Sequence, residues 1–196
     1  MAQDLAPDVA QRIARMCVEL PESDWNKSGL KIPATGILAV AQRKKYTIEE
    51  ALAGSKPVVF LEEPRNLGNI GAVIRVAAGA DAGGVMASGT VDLWSEGVTR
   101  GAAGLQFSLP VVKLSALPNT GRPIIAFDPD GEDMSSTQIA KNAILCFGTE
   151  RSGLSKDTLE RAEKRVRIPM RENVSSLNLA TSVAIALYVL KLSQQS

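Results

Sequence analysis

Near the C-terminus, Ile168-Pro169-Met170 is followed by Ser176-Leu177-Asn178 and then by an apolar run from Val183 to Leu190. A proline-containing loop there meets the mouth of a buried helix. A helix N-terminus leaves backbone N–H groups free for a ligand. Two other polar clusters could complete a site: Asn66-Leu67-Gly68-Asn69-Ile70-Gly71 through Arg75, and Gly148-Thr149-Glu150 through Gly153-Leu154-Ser155. Each leaves an apolar strand-like run, which suggests one composite site rather than three decorated loops.

The chain contains no histidine. That removes Ser-His-Asp and Cys-His nucleophilic schemes, histidine general bases and most catalytic metal sites. The remaining inventory of carboxylates, Arg, Lys, Ser, Thr and Asn suits a reaction that mainly needs positioning of a reactive cofactor. The two cysteines, Cys17 and Cys146, have no partners at metal-ligand spacing. A reduced, cytoplasmic setting without bound metal fits them best.

Each cluster also has a bland reading. Asn69 could be an ordinary helix cap, with Arg75 nearly two turns further along. Arg75 is flanked by Ala72, Val73, Ile74, Val76 and Ala77, surroundings in which an arginine normally needs a partner. The second cluster could be a glycine-rich turn with Ser155 as cap. The third could be a capping loop, with Ser175 or Ser176 as cap and Asn178 in the first turn. None of the three has dinucleotide or Walker glycine spacing.

The elements that would position these clusters read as alternating strands and helices. Apolar runs at Val58–Leu61, Ile124–Phe127 and Ala143–Phe147 predict buried strands, Val111–Val112 and Arg165–Ile168 predict short ones, and Gly83-Gly84 ends the preceding helix before Val85-Met86-Ala87. Helical spacing predicts helices over Ile70–Ala80, Trp94–Ala103, Lys156–Lys164 and Leu177–Leu192. This order argues for an α/β fold with a parallel sheet, which binds ligands at the carboxyl ends of its strands. Residues 1–55 differ. Val9, Ile13 and Met16 predict a helix stopped by Pro21, Trp25–Pro33 reads as a loop, and Ile37–Lys45 as a short helix ending in Arg43-Lys44-Lys45-Tyr46.

The chain has 196 residues, 45% of them hydrophobic, and a net charge of +1. It therefore has the makings of one globular α/β domain with a short extra segment, and any polyanion site must be a local basic patch. The low aromatic content, 4%, argues against a stacking platform for single strands. No signal peptide is visible, and no apolar run is long enough to span a bilayer, so no membrane association is expected.

Taken together, Asn69-Ile-Gly-Ala-Val-Ile-Arg75, Leu145-Cys-Phe-Gly-Thr-Glu-Arg-Ser-Gly-Leu-Ser155 and Ile168-Pro-Met with Ser176-Leu-Asn178 resemble the SpoU/TrmH branch of the SPOUT RNA methyltransferases. The resemblance covers Pro57 to Leu192. It implies a homodimeric α/β knot, with a deep C-terminal trefoil knot, over residues 56–196, and a short N-terminal extension over 1–55. It implies S-adenosylmethionine as cofactor and methylation of a ribose 2′-hydroxyl in RNA, tRNA or rRNA. Gly148, Ile168 and Leu177 would hold the cofactor. Asn69, Arg75, Glu150, Ser176 and Asn178 would form the catalytic and substrate-facing set. Arg100, Arg151, Arg171, Lys44 and Lys45 are the candidates for gripping RNA. Glu172 and Ala180 stand where the family often carries Gly and Ser. A non-catalytic RNA-binding or assembly factor with the same fold, and a small-molecule enzyme with a nucleotide cofactor, are the competing readings.

Overall fold

The computed structural model describes residues 7–19, 21–29, 41–149, 152–174 and 176–193. The chain divides into two compact units, Met1–Gln42 and Arg43–Ser196.

The described residues of the first unit include two helices, α1 (Pro7–Met16) and α2 (Glu22–Ser28). Pro7 opens α1, where its missing N–H is no loss. Asp8 in the first turn and Arg15 in the last complement the helix dipole. No residue of α1 is buried. The predicted loop from Trp25 is instead helical up to Ser28: Pro21 ends nothing but precedes α2 as its N-cap, at φ −58°, and Gly29 closes α2 at φ 68°.

The second unit opens with a stretch from 43 to 47 that carries no helix. The predicted helix over Ile37–Lys45 is therefore not formed at its described end, and residues 37–40 lie outside the described set. The reason is local. Thr47 is extended and closes a capping box with Glu50, which starts α3 (Ile48–Ala51) only after the basic run.

Six strands follow: β1 (Val58–Leu61), β2 (Gly84–Ala87), β3 (Val111–Lys113), β4 (Ile124–Asp133), β5 (Ile144–Phe147) and β6 (Lys164–Arg167). They form one sheet in the order β3-β2-β1-β5-β4-β6, and every pair is parallel. Residues of β1, β2 and β5 are buried throughout, as expected of parallel strands covered on both faces. β4 runs further than predicted. Its pairing with β6 breaks after Phe127 and resumes at Glu132, so residues 128–131 leave the ladder between two paired stretches.

Four α-helices, α4 (Leu67–Ala80), α5 (Glu96–Ala102), α6 (Lys156–Arg161) and α7 (Leu179–Leu192), and a short 3-10 helix, Leu105–Phe107, follow among the described residues. Side chains alternate along each strand. Val59, Leu61, Leu145 and Phe147 face a core shared with Ile70, Val73, Ile74, Val98, Val183 and Leu187. Val58, Phe60, Ile144 and Cys146 face the other core, with Ala51, Leu117 and Leu154. Helices α4, α5 and α7 thus cover one face. A Cβ on Gly71 would fall inside contact distance of the Val98 carbonyl and Gly101, so glycine sets the close crossing of α4 and α5. At the amino edge of the sheet, Arg122 donates to the carbonyls of Leu52 (2.7 Å), Lys56 (2.8 Å) and Asn142 (3.1 Å). Among the described residues no helix is long and apolar enough to cross a membrane.

Candidate active site

The middle of β4, where its pairing with β5 ends, and the carboxyl ends of β5 and β6 surround a cavity of about 260 Å³. β4 contributes Phe127, Asp128 and Pro129, β5 contributes Phe147, Gly148 and Thr149, and the chain after β6 contributes Ile168 and Met170. Ser176, Leu177, Leu179 and Ser182 close it from the start of α7. The Phe127 and Phe147 rings stack with centroids 4.6 Å apart and form an apolar wall. Asp128 supplies a carboxylate that accepts hydrogen bonds from Arg165 (2.9 Å) and from the Asp130 N–H (3.0 Å).

Gly148, Ile168, Ser176 and Leu177 line one cavity, while no residue of the Asn66–Arg75 cluster lines it. The sequence reading missed Phe127, Asp128 and Pro129. Their signal was position alone, where the apolar run of the strand beside β5 ends.

The loop leaving β5 turns back on itself. Thr149 and Gly153 exchange backbone hydrogen bonds of 3.2 and 3.0 Å, and the Thr149 and Ser152 hydroxyls are 2.7 Å apart. A Cβ on Gly148 would collide with the backbone of Gly153 and Leu154. Glycine is thus required there by the loop's own return. Glu150 and Arg151 lie outside the described residues.

The far end of that loop is held by a residue the sequence reading did not single out. Glu62, at the exit of β1, accepts from the Ser155 N–H (2.6 Å), the Ser155 hydroxyl (2.7 Å) and the Thr158 hydroxyl (2.7 Å). Ser155 caps α6, as the bland reading had it. Glu62 adds a negative charge at the same helix end, where the dipole favours it. The charge also reaches β5: burial, then Glu62, push the Cys146 thiol up to about 12, with Arg161 opposing.

Asn66, not Asn69, caps α4, with its side-chain oxygen accepting from the Asn69 N–H at 2.9 Å. The Asn69 side-chain oxygen accepts a hydrogen bond from the Asn178 amide at 2.9 Å. Asn178 in turn is the cap of α7, accepting from the N–H groups of Ala180 (2.9 Å) and Thr181 (3.4 Å). Asn178 therefore precedes the helix, and neither Ser176 nor the first-turn placement fits; Ser175 lies outside the described residues.

Arg75 does not line the cavity and is exposed on α4. The buried stripe of α4 is Ile70, Val73, Ile74 and Ala77, and one step past Ile74 turns the side chain about 100° away from it. The expected buried partner is absent: the ion pairs among the described residues do not include Arg75. Arg100 is exposed and paired with Glu96. Arg171, Lys44 and Lys45 are exposed. Lys44 and Lys45 sit in the stretch before α3, away from the cavity lining.

This arrangement of strands and loops recurs in known proteins. An uncharacterized tRNA/rRNA methyltransferase of Archaeoglobus fulgidus is 30% identical over 154 residues, covering 74% of this chain and 69% of that protein. A 23S rRNA (adenosine(1067)-2′-O)-methyltransferase of Streptomyces laurentii is 31% identical over 173 residues, covering 83% of this chain and 63% of that protein. The crystal structure of an S-adenosylmethionine-bound rRNA methyltransferase from Sinorhizobium meliloti superposes with a TM-score of 0.64 at 26% identity, over 72% of this chain and 57% of that one. The chain thus spans less than two thirds of the length of the latter two proteins. The model of the SpoU rRNA methylase family matches residues 56–188, and the chain belongs to that family.

Proposed function

We propose that the chain transfers a methyl group from S-adenosylmethionine to a ribose 2′-hydroxyl of structured RNA, tRNA or rRNA, and that it does so in the cytoplasm as a homodimer. The observation that carries this reading is the cavity in which Gly148, Ile168, Ser176 and Leu177, from separate stretches of a family-matching chain, meet beside the Asn69–Asn178 hydrogen bond.

The residues present fit the cofactor. The stacked Phe127 and Phe147, with Ile168, Leu177 and Leu179, offer apolar walls for a flat base, and Asp128 and the backbone at Gly148 offer polar contacts. When bound, the cofactor supplies a methyl group on a positively charged sulfur, which needs no metal to leave. The protein's part is to aim the hydroxyl and help its proton away. Asn69 and Asn178 form a rigid polar edge for the ribose. A guanidinium keeps its proton, so Arg75 serves as a cationic donor that clamps the neighbouring phosphate and the 2′-oxygen, and the proton passes to phosphate or water. Glu150 and Ser176 complete the substrate-facing set. Arg100, Arg151, Arg171, Lys44 and Lys45 grip RNA, with residues 1–55 as an RNA-contacting extension to the methyltransferase domain over 56–196.

The dimer reading rests on α7. Val183, Ala186, Leu187 and Leu190 are buried, yet Tyr188, Val189 and Leu192 remain 43%, 44% and 60% exposed. A second copy covers that apolar surface. The knot reading rests on the return of the chain from β6, at one edge of the sheet, to line the cavity beside Gly148 and reach Asn69 on α4. The test is incubation with methyl-labelled cofactor and bulk tRNA and rRNA, followed by nucleoside analysis. Label in a 2′-O-methylnucleoside is expected. Label on a base, or none in either RNA, overturns the reading.

A further inference from the structure

A second exposed constellation lies at the β3 end of the sheet, outside the cavity. There the Arg43-Lys44-Lys45-Tyr46 run meets two rings supplied by the β2–β3 connection. Trp94 and Phe107 pack edge to face, with centroids 5.2 Å apart and planes at 67°. The Arg43 guanidinium lies over the Trp94 ring at 5.2 Å, and the Lys44 ammonium over the Tyr46 ring at 4.3 Å. The Tyr46 hydroxyl reaches the Phe107 carbonyl at 3.5 Å, and the ring packs partly on the second core. Tyr46 thereby anchors the basic run.

Trp94 and Tyr46 each pack partly on a core, so folding accounts for part of this set but not for Phe107 or for the charge. Phe107 stays 44% exposed although it is one of only four phenylalanines. One of the two tryptophans and one of the two tyrosines gather at the same spot. The charge is also unbalanced. Asp92 meets Arg43 at 3.5 Å, while Lys44 and Lys45 have no acidic partner among the ion pairs of the described residues. Cations beside exposed rings complement a strand that carries phosphates and unstacked bases.

We propose that Arg43, Lys44, Lys45, Trp94 and Phe107 form a docking platform for one unpaired base of RNA and its flanking phosphates, a smaller device than the extended stacking platform that the low aromatic content argues against. A base stacks on the exposed Phe107 ring beside the half-buried Trp94, and the flanking phosphates lie against Lys44 and Lys45. Arg43 bridges ring and phosphate. The proposal rests on the RNA-methylating reading for its ligand and adds where a second segment of the substrate is held. Trp94 follows β2, two strands from β5, and β3 is three strands away, so the platform stands roughly 10–15 Å along the sheet from the cavity mouth. One folded RNA can span that distance.

The test uses the full chain carrying Trp25→Phe, which leaves Trp94 as its sole tryptophan, and a short oligouridine without cofactor. Oligouridine is expected to quench Trp94 emission saturably. Lys44→Glu with Lys45→Glu should weaken binding at least about tenfold and flatten its salt dependence. Phe107→Ala should weaken it about tenfold, the scale for losing one base–aromatic stack. Calorimetry with S-adenosylhomocysteine should give the same affinity in every variant, which shows that the fold and the cavity are intact. Unchanged oligouridine affinity in both variants overturns the platform. Equal quenching by heparin, a polyanion without bases, overturns the stacking half of it, and tight binding of a duplex but not of oligouridine overturns the choice of unpaired RNA. A wild type that binds oligouridine here yet methylates no RNA would refute the proposed reaction and leave the platform standing.

Discussion

The side-chain amide of Asn178 donates to the side-chain oxygen of Asn69 at 2.9 Å, joining residues 109 positions apart, the cap of α7 and the first turn of α4. The same Asn178 caps α7 through its oxygen. One side chain therefore sets both the start of a helix and a link to α4, between the cavity residues Leu177 and Leu179, and its two roles can be separated by chemistry.

Asn178→Asp keeps the cap acceptor and loses the donor toward Asn69. Its stability should stay within about 0.5 kcal/mol of wild type, while methyl transfer falls at least about tenfold. Asn178→Ala loses both roles and should also cost about 1 kcal/mol of stability. Chemical denaturation and single-turnover methylation on the two variants check this; a fully active Asn178→Asp protein would remove the contact from the mechanism.

Arg75 is exposed and makes no ion pair among the described residues, so its removal strands no buried charge. Arg75→Ala should change stability by less than about 0.5 kcal/mol and leave S-adenosylhomocysteine affinity intact. Methyl transfer should fall at least ~100-fold. Arg75→Lys should fail similarly, because lysine lacks the planar two-pronged contact. Activity within about twofold of wild type in Arg75→Ala would end the catalytic assignment.

Glu62 accepts three hydrogen bonds at the end of the loop that begins with Gly148. Glu62→Gln turns an amide toward the Ser155 N–H or hydroxyl and cannot satisfy all three donors. The expected cost is about 1–3 kcal/mol, with weaker cofactor binding because the loop is no longer clamped. Calorimetry against S-adenosylhomocysteine together with thermal melting reads both effects; an unaltered melt would show that Glu62 does not hold the loop.

Cys17 is exposed and Cys146 buried. In the native protein a thiol reagent should modify Cys17 alone, with Cys146 reacting only on unfolding. Burial raises the Cys146 thiol from 9.0 to about 12 in the folded state. A raised folded value means that its contribution to stability is complete below about pH 9 and is lost as pH climbs toward 12. The stability difference between wild type and Cys146→Ala should therefore narrow above about pH 9 in denaturant titrations. A difference that stays constant across that window would contradict this.

The sequence by itself determined the alternation of strands and helices, the family and the residues of the cavity that lie in its motifs. Apolar runs such as Val58–Leu61 are readable because parallel strands are buried on both faces. Ser155 as a cap was legible for the same reason: the rule acts over three residues. Tertiary structure decided what depends on contacts distant in sequence. The strand order that sets Phe127 and Asp128 beside Gly148 cannot be read from β4 alone. Which of Asn66 and Asn69 caps α4, and which of Ser176 and Asn178 caps α7, was open because each loop offers several capping side chains, and the Asn69–Asn178 contact forms between the two helices only when they pack. Arg75 looked embedded because its sequence neighbours are apolar, but a helix turns each residue about 100° from the last, so burial follows the face and not the neighbours.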